Sequence, residues 1–145
     1  MKPVLHKERM TKMKYEERNV SLEEYQWLRK SVGWGDTDTA ATKEGLENSL
    51  YSAAVVENGK IIAIGRVIGD GGLYFYIQDL IVHPDFQHKG IGSKIMSMLK
   101  GYIENNAKPG AFIALMAAKG LEAYYKKFGF QPRPIEGPGM FYIKQ

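Results

Sequence analysis

LYFYIQDLIVHPDFQHKGIGSKIMSMLKGYI, residues 73–103, is the stretch on which the fold turns. Residues 73–82 are rich in aromatic and branched side chains, the composition of a strand. A turn containing Gly90 and Gly92 follows. Ile91, Ile95, Met98, Leu99, Tyr102 and Ile103 then recur at helical spacing and make one apolar stripe. Beyond them, AFIALMA (111–117) reads as a buried strand. Strand, helix and strand in this order predict two parallel strands joined by a right-handed crossover.

The flanks supply antiparallel pieces. YSAAVVE (51–57) and KIIAIGRVI (60–68) enclose Asn58-Gly59, a pair that supplies the positive φ of a tight hairpin turn. GDGG (69–72) turns the chain again into residue 73. Upstream, Ser21 and Glu24 form a capping box, and Tyr25, Leu28 and Val32 give the helix that follows an apolar side. SVGWGDTD (31–38) breaks that helix, and a second short helix is expected over about 40–50. GLEAYYKKFGF (120–130) reads as a short helix ending at Gly129, and GMFYIKQ (139–145) as a last strand. The prediction is an α/β (α+β) chain with a mixed, mostly antiparallel sheet flanked by helices.

A chain of 145 residues suffices for one domain, burying about 68–70% of its unfolded surface. Residues 1–145 are expected to form that domain, with 1–12 as a flexible basic tail. No cysteine is present, which removes disulfides, thiolate metal sites and cysteine nucleophiles and suits a cytoplasmic protein. Three scattered histidines make no metal site. The longest uncharged run, Pro109 to Ala118, is shorter than the roughly 20 residues of a membrane span.

The net charge of +4 is unevenly spread. Residues 1–14 carry five basic groups and one acidic; residues 15–70 carry six and ten; residues 71–145 carry nine and five. A small basic excess without a basic–aromatic run argues against nucleic acid as a partner. An anionic small ligand on the second half fits better, with scattered solvated lysines as the plain alternative.

The glycine turn has a physical use. A helix N-terminus presents unpaired N–H groups and a partial positive charge. Glycines let a ligand approach that backbone, so the turn suits phosphate. A flexible strand-to-helix turn is an equal alternative on the glycines alone. GxxxxGK[ST] is absent, and Gly90-Ile91-Gly92 lacks the third glycine of a dinucleotide fingerprint.

The wider segment DLIVHPDFQHKGIGSKIMSMLKGYIE (79–104) resembles the acyl-CoA-binding core of the GNAT superfamily of N-acyltransferases. Gln87, Gly90 and Gly92 meet its Q/R-x-x-G-x-G/A signature, and Val82-x-Pro84 fits upstream. AYYKKFGF (123–130) is similar to a second family segment, F-Y-x-x-x-G-F, with Tyr124 and Tyr125 in the aromatic places. The resemblance covers about residues 14–143. Gln87 stands where arginine is frequent and His88 where glycine is frequent.

The resemblance implies a strand 73–82 that bulges and splays from 111–117 in a V at the sheet centre. It implies acetyl-CoA as co-substrate, without metal. The pantetheine arm would pair near Leu80, Ile81 and Val82. The pyrophosphate would sit on the amides of Gln87, His88, Lys89, Gly90, Ile91, Gly92 and Ser93. The reaction would be acetyl transfer to a primary amine of a small acceptor. A non-catalytic acyl-CoA-binding or regulatory module is the alternative, since a fold alone does not fix a function.

Such an amine must attack as the free base, yet alkyl amines have a pKa of about 10.4. Asp79, beside the expected thioester, is the candidate base, water relay or ammonium holder; a polar strand residue is the plain alternative. Tyr125 matches the family tyrosine and is the candidate acid for the leaving thiolate. On spacing alone it would be a core aromatic, in a stripe with Leu121, Tyr124 and Phe128. Trp34, Asp36 and Asp38 lie in the loop that borders the acceptor site in the family, where the carboxylates would attract a cationic amine. A homodimer is compatible with this reading.

Overall fold

The computed structural model describes residues 12–145. Most of the basic tail, residues 1–11, lies outside the described residues. The described chain divides into two compact units, one ending at Leu115 and the other running from Met116 to Gln145.

The first unit holds a five-stranded sheet in the order β1-β2-β3-β4-β5. Its elements run β1 (Met13–Glu17), α1 (Leu22–Ser31), α2 (Thr39–Glu47), β2 (Tyr51–Glu57), β3 (Lys60–Gly69), β4 (Tyr74–Val82), a 3-10 turn (Pro84–Phe86), α3 (Ile91–Asn106) and β5 (Phe112–Ala114). The first four strands pair antiparallel, and β4 pairs parallel with β5. The sheet is therefore mixed and flanked by helices, as expected. The Asn58-Gly59 turn has positive φ at both residues, and Ser21 and Glu24 close the capping box at α1.

The crossover helix is built as the stripe predicts. α3 buries Ile91, Ile95, Leu99 and Ile103, each contributing about 1.5–3 kcal/mol of apolar burial. Met96 rather than Met98 completes the stripe, because position 96 lies one residue past Ile95 on the sheet-facing side. A methyl group on Gly65 of β3 would stand 2.6 Å from Ile95 Cγ2 and 3.0 Å from Leu99 Cδ1, so the absent side chain lets α3 lie directly on β3. On the α1 side, Val20, Tyr25, Leu28, Leu46, Ala54, Ile61, Ile64 and Ile81 form a second cluster.

Three expectations need correction. The strand expected over 111–117 is confined to Phe112–Ala114 and is only half-buried. The second unit holds one short helix, α4 (Glu122–Lys126), and residues 139–145 form no strand. Met140, Phe141, Tyr142 and Ile143 are exposed there, so their apolar character does not mark core positions. β1 was not expected at all: MKYEE is short and polar, and it forms because it completes the edge of β2.

Among the described residues, no helix is long and apolar enough to cross a membrane. No group of three His, Asp or Glu side chains is placed to hold a metal ion among them.

Candidate active site

β4 and β5 pair over only three residues, Tyr74–Tyr76 against Phe112–Ala114. From Ile77 to Val82, β4 runs on past the end of β5 and has no β5 partner. Within that free stretch β4 bulges. Ile64 pairs with Ile81 and Arg66 with Gln78, so Gly65 alone faces Asp79 and Leu80. Two residues against one is a β-bulge, a device that re-aims side chains beside sites. Asp79 adopts φ +59°, a left-handed conformation that Asp tolerates better than most residues.

That turn in the backbone sends the Asp79 side chain inward, where it is 1% exposed. Its Oδ2 accepts from Arg66 Nε at 2.9 Å and from the Tyr25 hydroxyl at 2.9 Å, and its Oδ1 accepts from Gln78 Nε2 at 3.3 Å. Arg66 is held in turn: its Nη1 donates to Gly45 O at 3.2 Å and to Ser49 Oγ at 2.8 Å. A buried carboxylate with a paired guanidinium and a phenol satisfies the rule that interior charges are compensated. Burial pushes the Tyr25 phenol above its ordinary pKa, the Asp79 charge adds to this, and Arg29 pulls the other way.

Beside this network lies a cavity of about 200 Å³, lined by Tyr25, Thr37, Asp38, Thr42, Arg66 and the α2 backbone at Ala41, Gly45 and Leu46. Its wall is preorganised. Gln26 Nε2 donates to Thr37 O at 3.0 Å, Thr37 Oγ1 bonds Thr42 Oγ1, and Thr42 Oγ1 donates to Asp38 O at 2.5 Å. Asp38 lines the cavity, and its Oδ2 caps α2 by accepting from Ala41 N at 2.9 Å. Asp36 lies apart, paired with Lys30 at 3.6 Å in solvent. Trp34 is 41% exposed and faces the Arg29 guanidinium, whose Cζ is 5.3 Å from its ring centroid.

At its far end β4 leads into the glycine turn. Gln87 Nε2 donates to Val82 O at 2.9 Å and ties the turn to the strand. His88 and Gly90 have φ of +62° and +82°. Gly90 is the N-cap of α3; among the described residues no side chain caps the helix and nothing stands within 4 Å of where a Cβ would be. The Ile91 and Gly92 amides lie in the first turn of α3, where the helix ladder offers no acceptors. The residues present therefore fit an anionic pyrophosphate. Lys89 Nζ lies 5.5 Å from the Phe86 ring centroid, while Lys94 Nζ is set over Tyr15 at 4.0 Å.

In sequence-wide comparison, residues 49–132 match the Acetyltransferase (GNAT) domain family, which is more than half of the chain. This chain is a GNAT acetyltransferase. It is similar to an uncharacterized N-acetyltransferase, ycf52, of Pyropia yezoensis, at 30% identity over 129 residues, 86% of this chain and 73% of that protein. It is also similar to a probable acetyltransferase of meticillin-resistant Staphylococcus aureus, SA2161. That match has a TM-score of 0.84 and 34% identity, covering 92% of this chain and 99% of the other. An aminoglycoside N-acetyltransferase, AAC(6')-Iy, solved in complex with CoA, shares the fold at TM-score 0.65 and 18% identity, covering 92% and 95%.

In this acetyltransferase Asp38 lines the cavity, Asp79 is sealed behind the lining residues Tyr25 and Arg66, and Asp36 and Trp34 lie off the lining. Tyr125 belongs to the second unit, where its ring meets Tyr124 at 5.2 Å and Phe130 at 6.3 Å between centroids. Burial pushes the Tyr125 phenol above its ordinary pKa, with the neighbouring Tyr124 adding to it. Tyr25 and Arg66 were missed as site residues. Arg66 carried a signal: one charge inside the apolar run KIIAIGRVI must find a partner.

Proposed function

We propose that this enzyme transfers the acetyl group of acetyl-CoA to the primary amine of a small acceptor. The observation that carries the reading is the free stretch of β4, Ile77–Val82, running from a bulge beside the cavity to the open N-terminus of α3. In this reading acetyl-CoA supplies the thioester carbonyl and the leaving thiolate. The α3 amides and Gly90 hold its pyrophosphate. The backbone of Leu80, Ile81 and Val82 orients the pantetheine arm, and an amide near the bulge stabilises the developing oxyanion. The amine enters from the cavity, where the Asp38 carboxylate attracts a cationic group. Tyr125 protonates the thiolate.

Two measurements test this. Amines presented with acetyl-CoA should release free thiol. Gly90→Val should abolish acetyl-CoA binding in calorimetry while the circular dichroism stays native, because φ +82° and a bulky side chain both oppose the cradle. Unchanged affinity in that variant would sink the assignment of the turn. A chain that binds acetyl-CoA yet acetylates no amine would be a binding module.

A further inference from the structure

The cavity and the Asp79 carboxylate are neighbours that do not meet. Asp79 is sealed, and of its partners only Tyr25 and Arg66 also line the cavity. Arg66 offers donors only and does not release its proton, so it passes nothing on. A phenol is different, with one proton and two lone pairs. The Tyr25 proton is committed to Asp79 Oδ2 at 2.9 Å, so toward any further donor its oxygen can only accept, and Tyr25 lines the cavity. An amine N–H is the complement of that oxygen.

We infer that Tyr25 receives the acceptor amine and relays its proton to Asp79. The inference rests on the acetyl-transfer reading above. As the free-base nitrogen bonds to the thioester carbon, the C=O π pair moves to oxygen to give the tetrahedral oxyanion, and one N–H proton moves to Tyr25 Oη. The hydroxyl proton of Tyr25 moves at the same time to Asp79 Oδ2. Tyr25 ends as it began, Asp79 ends neutral, the positive charge that the nitrogen gains on bonding is removed, and the oxyanion re-forms the C=O bond as it expels the thiolate. The C–S bond then breaks, and the thiolate takes its proton from Tyr125. Arg66 stays anchored by Gly45 O and Ser49 Oγ and holds Asp79 in line with the phenol. The cavity, of about 200 Å³, has Tyr25 and Asp38 in one lining, so an amine that enters it meets both.

The test is Tyr25→Phe, which keeps the buried ring and removes only the hydroxyl. Turnover should fall by about 10² or more, the range of general acid–base catalysis, with acetyl-CoA affinity unchanged in calorimetry. Asp79→Asn should cause a similar loss, and the double variant should fall no further than the worse single one, since a relay is broken once. Tyr25→Phe turnover within threefold of wild type overturns the relay, as does a double variant whose losses multiply. Should Tyr25→Phe fail to bind acetyl-CoA, fluorotyrosine at position 25 takes its place. That more acidic phenol must alter kcat and its pH profile, and an unchanged profile overturns the role. A wild-type chain with no amine acetylation overturns the acetyl-transfer reading itself and the relay with it. Wild-type turnover alongside an indifferent Tyr25 overturns the relay alone.

Discussion

Tyr125 owes its proton to its surroundings. Burial first, and the adjoining Tyr124 second, hold its phenol above the ordinary value of 10.0. An acid must be protonated to act, and a phenol held above its ordinary value is protonated throughout the neutral range, as the proposed role of Tyr125 requires. Tyr125→Phe should lower kcat by about 10²–10⁴ with little change in acetyl-CoA affinity. Pre-steady-state measurements that isolate the chemical step decide the matter; an unchanged rate there returns Tyr125 to a packing role. The residues differ in how openly the sequence displays them. Gly90 is legible because its φ of +82° is a backbone demand that glycine meets. Tyr25 is not, because it occupies a core position of an amphipathic helix and its hydroxyl leaves no trace in the apolar spacing. Arg66 and Asp79 were both visible as charges in apolar strands, but their pairing needed the bulge that brings Asp79 inward.

At the scale of elements, α1 shows how local rules place a site. Its entry is fixed by Ser21 and Glu24, whose side chains each accept from the other's backbone N–H at 3.1 and 2.9 Å. Arg18 then grips Glu24 with two bonds of 2.9 Å. The entry sets the helix phase, and the phase aims Tyr25 at Asp79. Glu24→Gln keeps a capping-box residue and removes the ion pair, at a cost of about 0.2–1 kcal/mol for so accessible a pair. The hydrogen bond from Arg18, more than burial opposes it, holds Glu24 below its ordinary 4.5. Its stabilising effect is thus complete above pH 4.5 and lost as pH falls through the lowered folded value. Melting curves of the two proteins should differ at neutral pH and converge in acid; a gap independent of pH would refute the ion pair's role. The helices and hairpin were legible because caps, Asn58-Gly59 and apolar spacing are local signals. β1 and the reach of β5 were not, since a short strand depends on its neighbour's edge more than on its own composition. The apolar tail at 140–143 shows the converse: strand-like residues without a pairing partner.

For the whole molecule the useful quantity is the charge division. Residues 15–70, six basic and ten acidic, contain every residue that lines the cavity. Residues 71–145, nine basic and five acidic, contain the glycine turn. Such a division suits a cationic amine meeting an anionic co-substrate. The geometry separates the two candidate carboxylates. Asp36 is paired with Lys30 in solvent, whereas Asp38 lines the cavity and spends Oδ2 on the Ala41 amide. Asn caps helices about as well as Asp, so Asp38→Asn removes charge and spares α2. Asp38→Asn should therefore raise KM for a cationic amine by up to about fivefold, the worth of one exposed charge pair, with kcat nearly unchanged. Asp36→Asn should leave KM alone. The Asp38 effect should shrink with added salt, because exposed charges are screened beyond about 8 Å at physiological ionic strength. Steady-state kinetics of both variants across salt concentrations decide it. Equal behaviour of the two variants, or a preferred acceptor that is neutral or anionic, would mean that the charge division has no part in choosing the substrate.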